Sequence, residues 1–287
     1  MAPDSLEDLV GTSPAIAGLR RRLARLLRDA RAARRRTSVL LRGEEGTGKS
    51  LLARLIHLGG PRRDGPFVNV SCAALPATIH SDELFSPARG GTLYLDEVGL
   101  LPEALQAELV ALIERRVGGT RALTRPDEVI HVIAGSSIDL AGAVRAGRFR
   151  DDLARRLAAT PLDLPPLRDR GRDVLMLAER FLVRFARDYE TPPKRLDRSA
   201  RAALLEHHWP GNVRELANVV ERTVLVTDAP VVDAVALGLR FGPGSAPAPG
   251  RLALPPASFS RAEAHRRHLE AALQGTGWNI ARTAALL

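Results

Sequence analysis

Two short runs hold the residue types from which phosphate chemistry is built. Gly43-Glu44-Glu45-Gly46-Thr47-Gly48-Lys49-Ser50 has the spacing G-x-x-x-x-G-K-[ST], after an apolar run and at the start of a helical pattern. Its glycines let the backbone wrap an anion and turn N–H groups toward it. Residues 43–51, closing on Leu51, are therefore the candidate phosphate cradle. Lys49 has the reach for β- and γ-phosphates, and the Ser50 hydroxyl is a ligand for Mg²⁺. The second run, GGTLYLDE at 90–97, is an apolar strand that delivers Asp96 and Glu97 at its C-terminal end. Ligands bind at that end of open parallel sheets. Asp96 is a second oxygen for Mg²⁺, held through water, and Glu97 is placed to orient or deprotonate an attacking water. A strand ending in two acids is a weak signal alone; beside the glycine loop it predicts a site for ATP and Mg²⁺.

These groups need a sheet to carry them. Apolar runs at 38–41, 67–70, 92–95, 130–134 and 160–164 alternate with helical patterns near 49–57, 73–85, 102–115 and 139–156. That alternation predicts an α/β fold, a doubly wound parallel sheet covered on both faces. From 15 to about 35, Leu19, Leu23, Leu26 and Leu27 form one apolar helix face, and nine arginines between Arg20 and Arg36 fill the rest. Residues 172–239 read as helical throughout, a separate lid. The expected organisation is an N-terminal segment (1–14), a nucleotide-binding subdomain (15–168), a helical lid subdomain (169–240), a Pro/Gly/Ala-rich linker (241–258) and a short helical tail (259–287).

Composition narrows the class. The 287 residues are 45% apolar but only 4% aromatic, so the core is built from Leu, Ala, Val and Ile. The formal net charge of +9 suits polyanions, although an arginine-rich solvated surface accounts for most of it. A lone Cys72 excludes an internal disulfide framework. The N-terminus lacks the basic and apolar regions of a signal peptide, and no apolar run reaches spanning length. These features predict a cytoplasmic protein without membrane contact. Cys72 reads as a small core residue, and His207 and His208 have no partner at metal-ligand spacing.

Arg148, Arg150, Arg155 and Arg156 in GRFRDDLARRL (147–157) read on their own as a surface helix with Asp–Arg pairs. The block WPGNVRELANVVERTVLV (209–226) supplies context. With LVGTSPAI (9–16), GPFVNVSCAALP (65–76), LPEALQAELVALI (101–113) and LPPLRDRGRDV (164–174), the chain resembles the AAA+ ATPase domain of bacterial enhancer-binding proteins, the sigma-54-dependent transcription activators. The resemblance covers about residues 8–240 and continues weakly into 259–287. It implies that Arg150 and Arg156 are arginine fingers acting on a neighbouring subunit, and that Arg214 senses the γ-phosphate. It also implies a doubly wound sheet with a helical lid, assembled as a ring, usually a hexamer, with ATP between subunits.

Departures from the family bear on function. Members carry a long insertion between the LF of one helix and the GGTL strand, bearing the GAFTGA loop that grips sigma-54. Here Phe85 reaches Gly90 through Ser-Pro-Ala-Arg, four residues that span only ~14 Å when extended. The resemblance thus implies that sigma-54 RNA polymerase is not engaged in the usual way. Ser137 stands where the family has its sensor asparagine, and Ser71 where an asparagine couples Glu97 to the nucleotide state. Serine lacks the amide's two donors, so ATP and Mg²⁺ binding are expected intact and hydrolysis slowed or poorly coupled. The tail resembles the start of a Fis-type helix-turn-helix without its reading helix, so DNA binding is expected to be weak as written; a dimerising helical pair is the rival for 260–287. Arg168, Arg170, Arg172 and Asp173 are expected to fix the lid through salt bridges, and residues 209–212 to pack a helix junction without direct chemistry. Three readings stay open: an ATP-dependent transcription regulator, a nucleotide-gated binding protein with little turnover, and a degenerate fragment.

Overall fold

The computed structural model describes residues 9–32, 38–76, 78–117 and 129–239. The expected linker and helical tail lie outside these residues. Five strands form one sheet: β1 (Val39–Arg42), β2 (Phe67–Ser71), β3 (Thr92–Asp96), β4 (His131–Ser136) and β5 (Pro161–Asp163). Their order is β2-β3-β4-β1-β5 and every pairing is parallel. The α/β fold class predicted from the alternation of patterns is the one observed. The central strands are nearly all buried, which is why they read as unbroken apolar runs.

Alternation of side chains along each strand divides the interior in two. Val39, Leu41, Tyr94, Ile133 and Leu162 meet α1 (Pro14–Ala32) and α2 (Lys49–Gly59) on one face. Leu40, Leu93, Leu95, Val132 and Ala134 meet α4 (Glu103–Val117), α5 (Leu140–Arg145) and α6 (Asp151–Leu157) on the other. A short helix, α3 (Ser81–Phe85), adds Leu84 and Phe85 to that second core. Each fully buried Leu, Ile or Val contributes about 1.5–3 kcal/mol, and α1 turns Leu19, Leu23 and Leu27 inward as its pattern requires.

A third core holds the lid. It gathers α7 (Asp173–Asp188), α8 (Arg198–Glu206), α9 (Asn212–Val226) and α10 (Ala234–Leu237) around Leu177, Phe185, Leu204, Leu216 and Val220. Trp209 is buried at its centre, and its indole N–H donates to the Leu204 carbonyl at 2.9 Å.

Three elements differ from the sequence reading. The helix expected at 73–85 is a 3-10 turn, Cys72–Ala74, and then only α3, because Pro76 interrupts the stretch. The helix expected at 139–156 is two. Asp139 caps α5 by accepting from the Ala141 and Gly142 amides, Gly147 takes a left-handed φ of 68°, and Asp151 and Asp152 open α6. The break leaves 148–150 as a loop. The lid, read as wholly helical, also contains a two-residue parallel ladder, β6 (Arg195–Leu196) with β7 (Val231–Val232).

The connection between α3 and β3 is closed. One 3-10 turn, Ser86–Ala88, fills it, with Ala88 buried and the Gly91 amide bonded to the Ala88 carbonyl at 3.0 Å. A Cβ on Gly91 would lie 2.0 Å from the Pro66 carbonyl oxygen, so the turn is packed against the entry to β2.

Candidate nucleotide site

The loop leaving β1 reaches α2 through left-handed glycines, Gly46 at φ 73° and Gly48 at φ 104°. The Thr47 hydroxyl donates to the Glu44 carbonyl at 2.7 Å and tightens the turn. Lys49 opens α2 and folds back into the loop: its Nζ donates to the carbonyls of Gly43 (2.9 Å) and Glu44 (3.3 Å). The same ammonium pairs with Glu97 Oε1 at 2.8 Å, with Lys49 5% and Glu97 17% exposed. Glu97 follows β3 in a left-handed conformation, φ 54°, which a non-glycine residue adopts at some cost and which aims its carboxylate into the loop. Its Oε2 accepts from Ser137, from the amide at 2.8 Å and the hydroxyl at 2.6 Å. Burial pushes the Glu97 carboxyl up, but the bonds from Lys49 and Ser137 outweigh it and hold the group below its ordinary value.

Asp96 stands at the end of β3 with Oδ1 accepting from the Tyr94 phenol at 2.7 Å. The Ser50 side chain lies near the same phenol. Among the described residues no cluster of three or more His, Cys, Asp or Glu could hold a metal. A hard cation that keeps waters and ligand oxygens suits a pair of protein oxygens, as Mg²⁺ does beside phosphates.

The lid sits directly on the loop. Arg168 Nη1 donates to Glu44 Oε2 at 2.8 Å, and Asn212 Nδ2 donates to Glu44 Oε2 (3.1 Å) and to the Glu45 carbonyl (2.9 Å). The Asn212 Oδ1 accepts from the Leu167 amide at 2.7 Å, and the Val213 amide donates to the Gly46 carbonyl at 3.0 Å. The Arg168 bond first, then that of Asn212, holds the Glu44 carboxyl down at about 2. Arg170 donates to the Thr47 carbonyl at 2.8 Å, and burial lowers its guanidinium to about 10. Asp173, buried, accepts from the Thr12 amide at 2.6 Å and the Ser13 hydroxyl at 2.6 Å. The 168–173 cluster therefore fixes lid, loop and N-terminal segment with one ion pair and several bonds to backbone groups, where sequence reading expected salt bridges.

The structure brings together Lys49, Ser50, Asp96, Glu97 and Ser137. Ser71 lies in register beside Asp96 and is exposed, while the serine bonds to Glu97 come from Ser137. The three arginines pair elsewhere. Arg214 is exposed and lies 3.6 Å from Glu45, Arg150 pairs with Asp152 at 2.8 Å, and Arg156 pairs with Glu114. The backbone of Arg150 is fixed by Gln106, buried on α4, whose Oε1 accepts from the Arg150 amide at 2.9 Å and whose Nε2 donates to the Leu101 carbonyl at 2.9 Å. Cys72 is buried, which first of all pushes its thiol up to about 12. His207 accepts from the Trp209 amide at 3.1 Å. Tyr94, Asn212 and Gln106 are the site residues that sequence reasoning missed. Tyr94 reads as a core strand residue, Gln106 as one polar position on a helix, and Asn212 as part of a junction without chemistry.

Comparison with known proteins agrees with this architecture. The sigma-54 interaction domain family matches residues 10–167, and the AAA+ ATPase lid domain family matches residues 168–250. Response regulator protein PilR of Pseudomonas aeruginosa is 38% identical over 306 aligned positions, taking in 96% of this chain and 65% of that protein. Regulatory protein AtoC of Escherichia coli is 40% identical, over 71% of this chain and 48% of that protein. The chain thus spans about half to two thirds of the length of the curated relatives it matches. The PilR alignment is longer than the 287 residues of the chain, so that relative carries residues with no counterpart here. Among solved structures, NtrX from Brucella abortus in complex with ADP superposes with a TM-score of 0.71 at 31% identity, covering 96% of this chain and 66% of that one. NtrX in complex with ATP gives 0.70 at 32%, covering 96% and 65%. The Thermotoga maritima RuvB branch-migration motor, at 19% identity and a TM-score of 0.58, covers 82% of this chain and 70% of that one and shares the fold alone. The chain belongs to the sigma-54 interaction domain family, an AAA+ P-loop NTPase fold with its lid, and its relatives include the regulatory proteins PilR and AtoC.

Proposed function

We propose that the chain is the ATP-binding engine of a cytoplasmic transcription regulator, assembled as a ring with ATP at subunit interfaces. The observation that carries this reading is the convergence of Lys49, Ser50, Asp96 and Glu97 on one glycine loop at the C-terminal ends of β1 and β3. ATP would lie along the amides of 43–51 with Lys49 on its outer phosphates. Mg²⁺, held by Ser50 and Asp96, would supply charge neutralisation at the phosphates. Lys49 then exchanges Glu97 Oε1 and the Gly43 carbonyl for phosphate oxygen. That exchange frees one oxygen of Glu97 to orient water and accept its proton, while Ser137 keeps the other oxygen in place. Arg150 and Arg156 serve a neighbour's phosphates, which requires them to leave Asp152 and Glu114. Arg214 requires a lid movement away from Glu45 to sense its own.

A second reading, nucleotide-gated assembly with slow turnover, is favoured by one feature: both oxygens of Glu97 are engaged. In either reading sigma-54 is not gripped in the usual way. The closed turn at Ser86–Ala88 supports this. Among the described residues no helix is long and apolar enough to cross a membrane, in keeping with the proposed location.

Titration with Mg-ATP, followed by turnover measured against protein concentration, tests the proposal. Saturable Mg-ATP binding is expected, with turnover per chain rising steeply as chains assemble. Absence of Mg-ATP binding would remove the engine altogether. Binding with turnover independent of concentration would remove the shared site.

A further inference from the structure

Tyr94 is fully buried on the face of β3 that meets α2. A phenylalanine would fill the same space, so the hydroxyl has to be explained by its partners, since an unbonded buried hydroxyl is unfavourable. It donates to Asp96 Oδ1 at 2.7 Å. As the donor in that bond, the phenol fixes one carboxylate oxygen of Asp96 and leaves the carboxylate's remaining lone pairs for a cation.

The neighbouring strand makes room for this hydroxyl. Gly135 lies inside β4, where glycine is unfavourable. A Cβ built there would stand 2.6 Å from the Tyr94 hydroxyl oxygen and 3.2 Å from Asp96 Oδ1. Any side chain at 135 would force the phenol off Asp96. Tyr94 and Gly135 are thus one device.

We propose that Tyr94 is a positioning residue of the cation site, a phenol that holds one oxygen of Asp96 and so orients that carboxylate toward Mg²⁺, with Gly135 as the space it requires. This rests on the ATP and Mg²⁺ reading above. The test uses the full chain with a fluorescent ATP analogue at fixed concentration, titrated with Mg²⁺. Tyr94→Phe is expected to raise the half-saturating Mg²⁺ concentration by about 10-fold or more, the usual cost of losing a group that orients a metal ligand. Its affinity for the analogue without Mg²⁺ should stay within about twofold of wild type.

Gly135→Ala should shift the Mg²⁺ dependence in the same direction and lower the melting temperature. The double variant Tyr94→Phe/Gly135→Ala should recover the melting temperature but not the Mg²⁺ dependence. If wild type shows Mg²⁺-dependent binding and Tyr94→Phe leaves the midpoint within about twofold, the phenol's role is overturned and the ATP reading stands. If wild type shows no Mg²⁺-dependent binding, the reading fails and takes the phenol's role with it.

Discussion

Lys49→Ala lowers affinity for Mg-ATP by about 100-fold or more and removes measurable turnover. The ammonium folds into the glycine loop and is bonded to the Gly43 and Glu44 carbonyls. A charge-assisted bond to phosphate, in a site screened from water, is worth several times its value at a surface. The same substitution has a second effect. Glu97, 17% exposed, loses its ion-pair partner and keeps only Ser137. Leaving a largely buried carboxylate half-paired is expected to destabilise the fold by about 1–3 kcal/mol. Lys49→Ala/Glu97→Gln should recover that stability without recovering ATP affinity. Isothermal titration and thermal melts separate the two effects. Undiminished ATP affinity in Lys49→Ala would place the phosphates elsewhere.

Arg150→Ala is expected to cut turnover by about 10³-fold while Mg-ATP affinity changes less than about threefold, as for an arginine that meets the phosphoryl group only in the transition state. The geometry suits a group offered outward. Arg150 is exposed and paired within its own loop to Asp152, and Gln106 fixes its backbone through the Arg150 amide. Complementation distinguishes action on a neighbour from a role within one chain. Lys49→Ala has no working loop but an intact Arg150; Arg150→Ala has the reverse. Mixed, they should recover a fraction of wild-type turnover that neither shows alone. Wild-type turnover in Arg150→Ala alone would reduce Arg150 to a partner of Asp152, and an inactive mixture of two inactive variants would rule out action on a neighbour.

The parts of the site that were legible in the sequence are those whose chemistry is local. A glycine loop between strand and helix, and two acids at a strand end, need only their own neighbours, and the structure brings Lys49, Ser50, Asp96 and Glu97 together. What stayed hidden depends on distant partners. Asn212 gains its role from Glu44 and Glu45, more than 160 residues away. Tyr94 follows a strand's apolar pattern, and only Gly135 on the next strand reveals why its hydroxyl is there. The same holds for the fold. Leu- and Ile-rich strands announced the parallel sheet, but the split between α5 and α6 did not show, because its segment is rich in Ala and Arg, good helix formers. Capping by Asp139 and the left-handed Gly147 overrule that preference.

The closed turn at Ser86–Ala88 makes the sharpest claim, that an ATP engine of this family works without the usual grip on sigma-54. Binding of the chain to purified sigma-54 and to its polymerase holoenzyme, in the presence of ADP and aluminium fluoride and beside an intact activator, tests it directly. The expected result is no stable complex while Mg-ATP still binds. A trapped complex as stable as the activator's would contradict the claim and make another surface of the chain the contact for sigma-54.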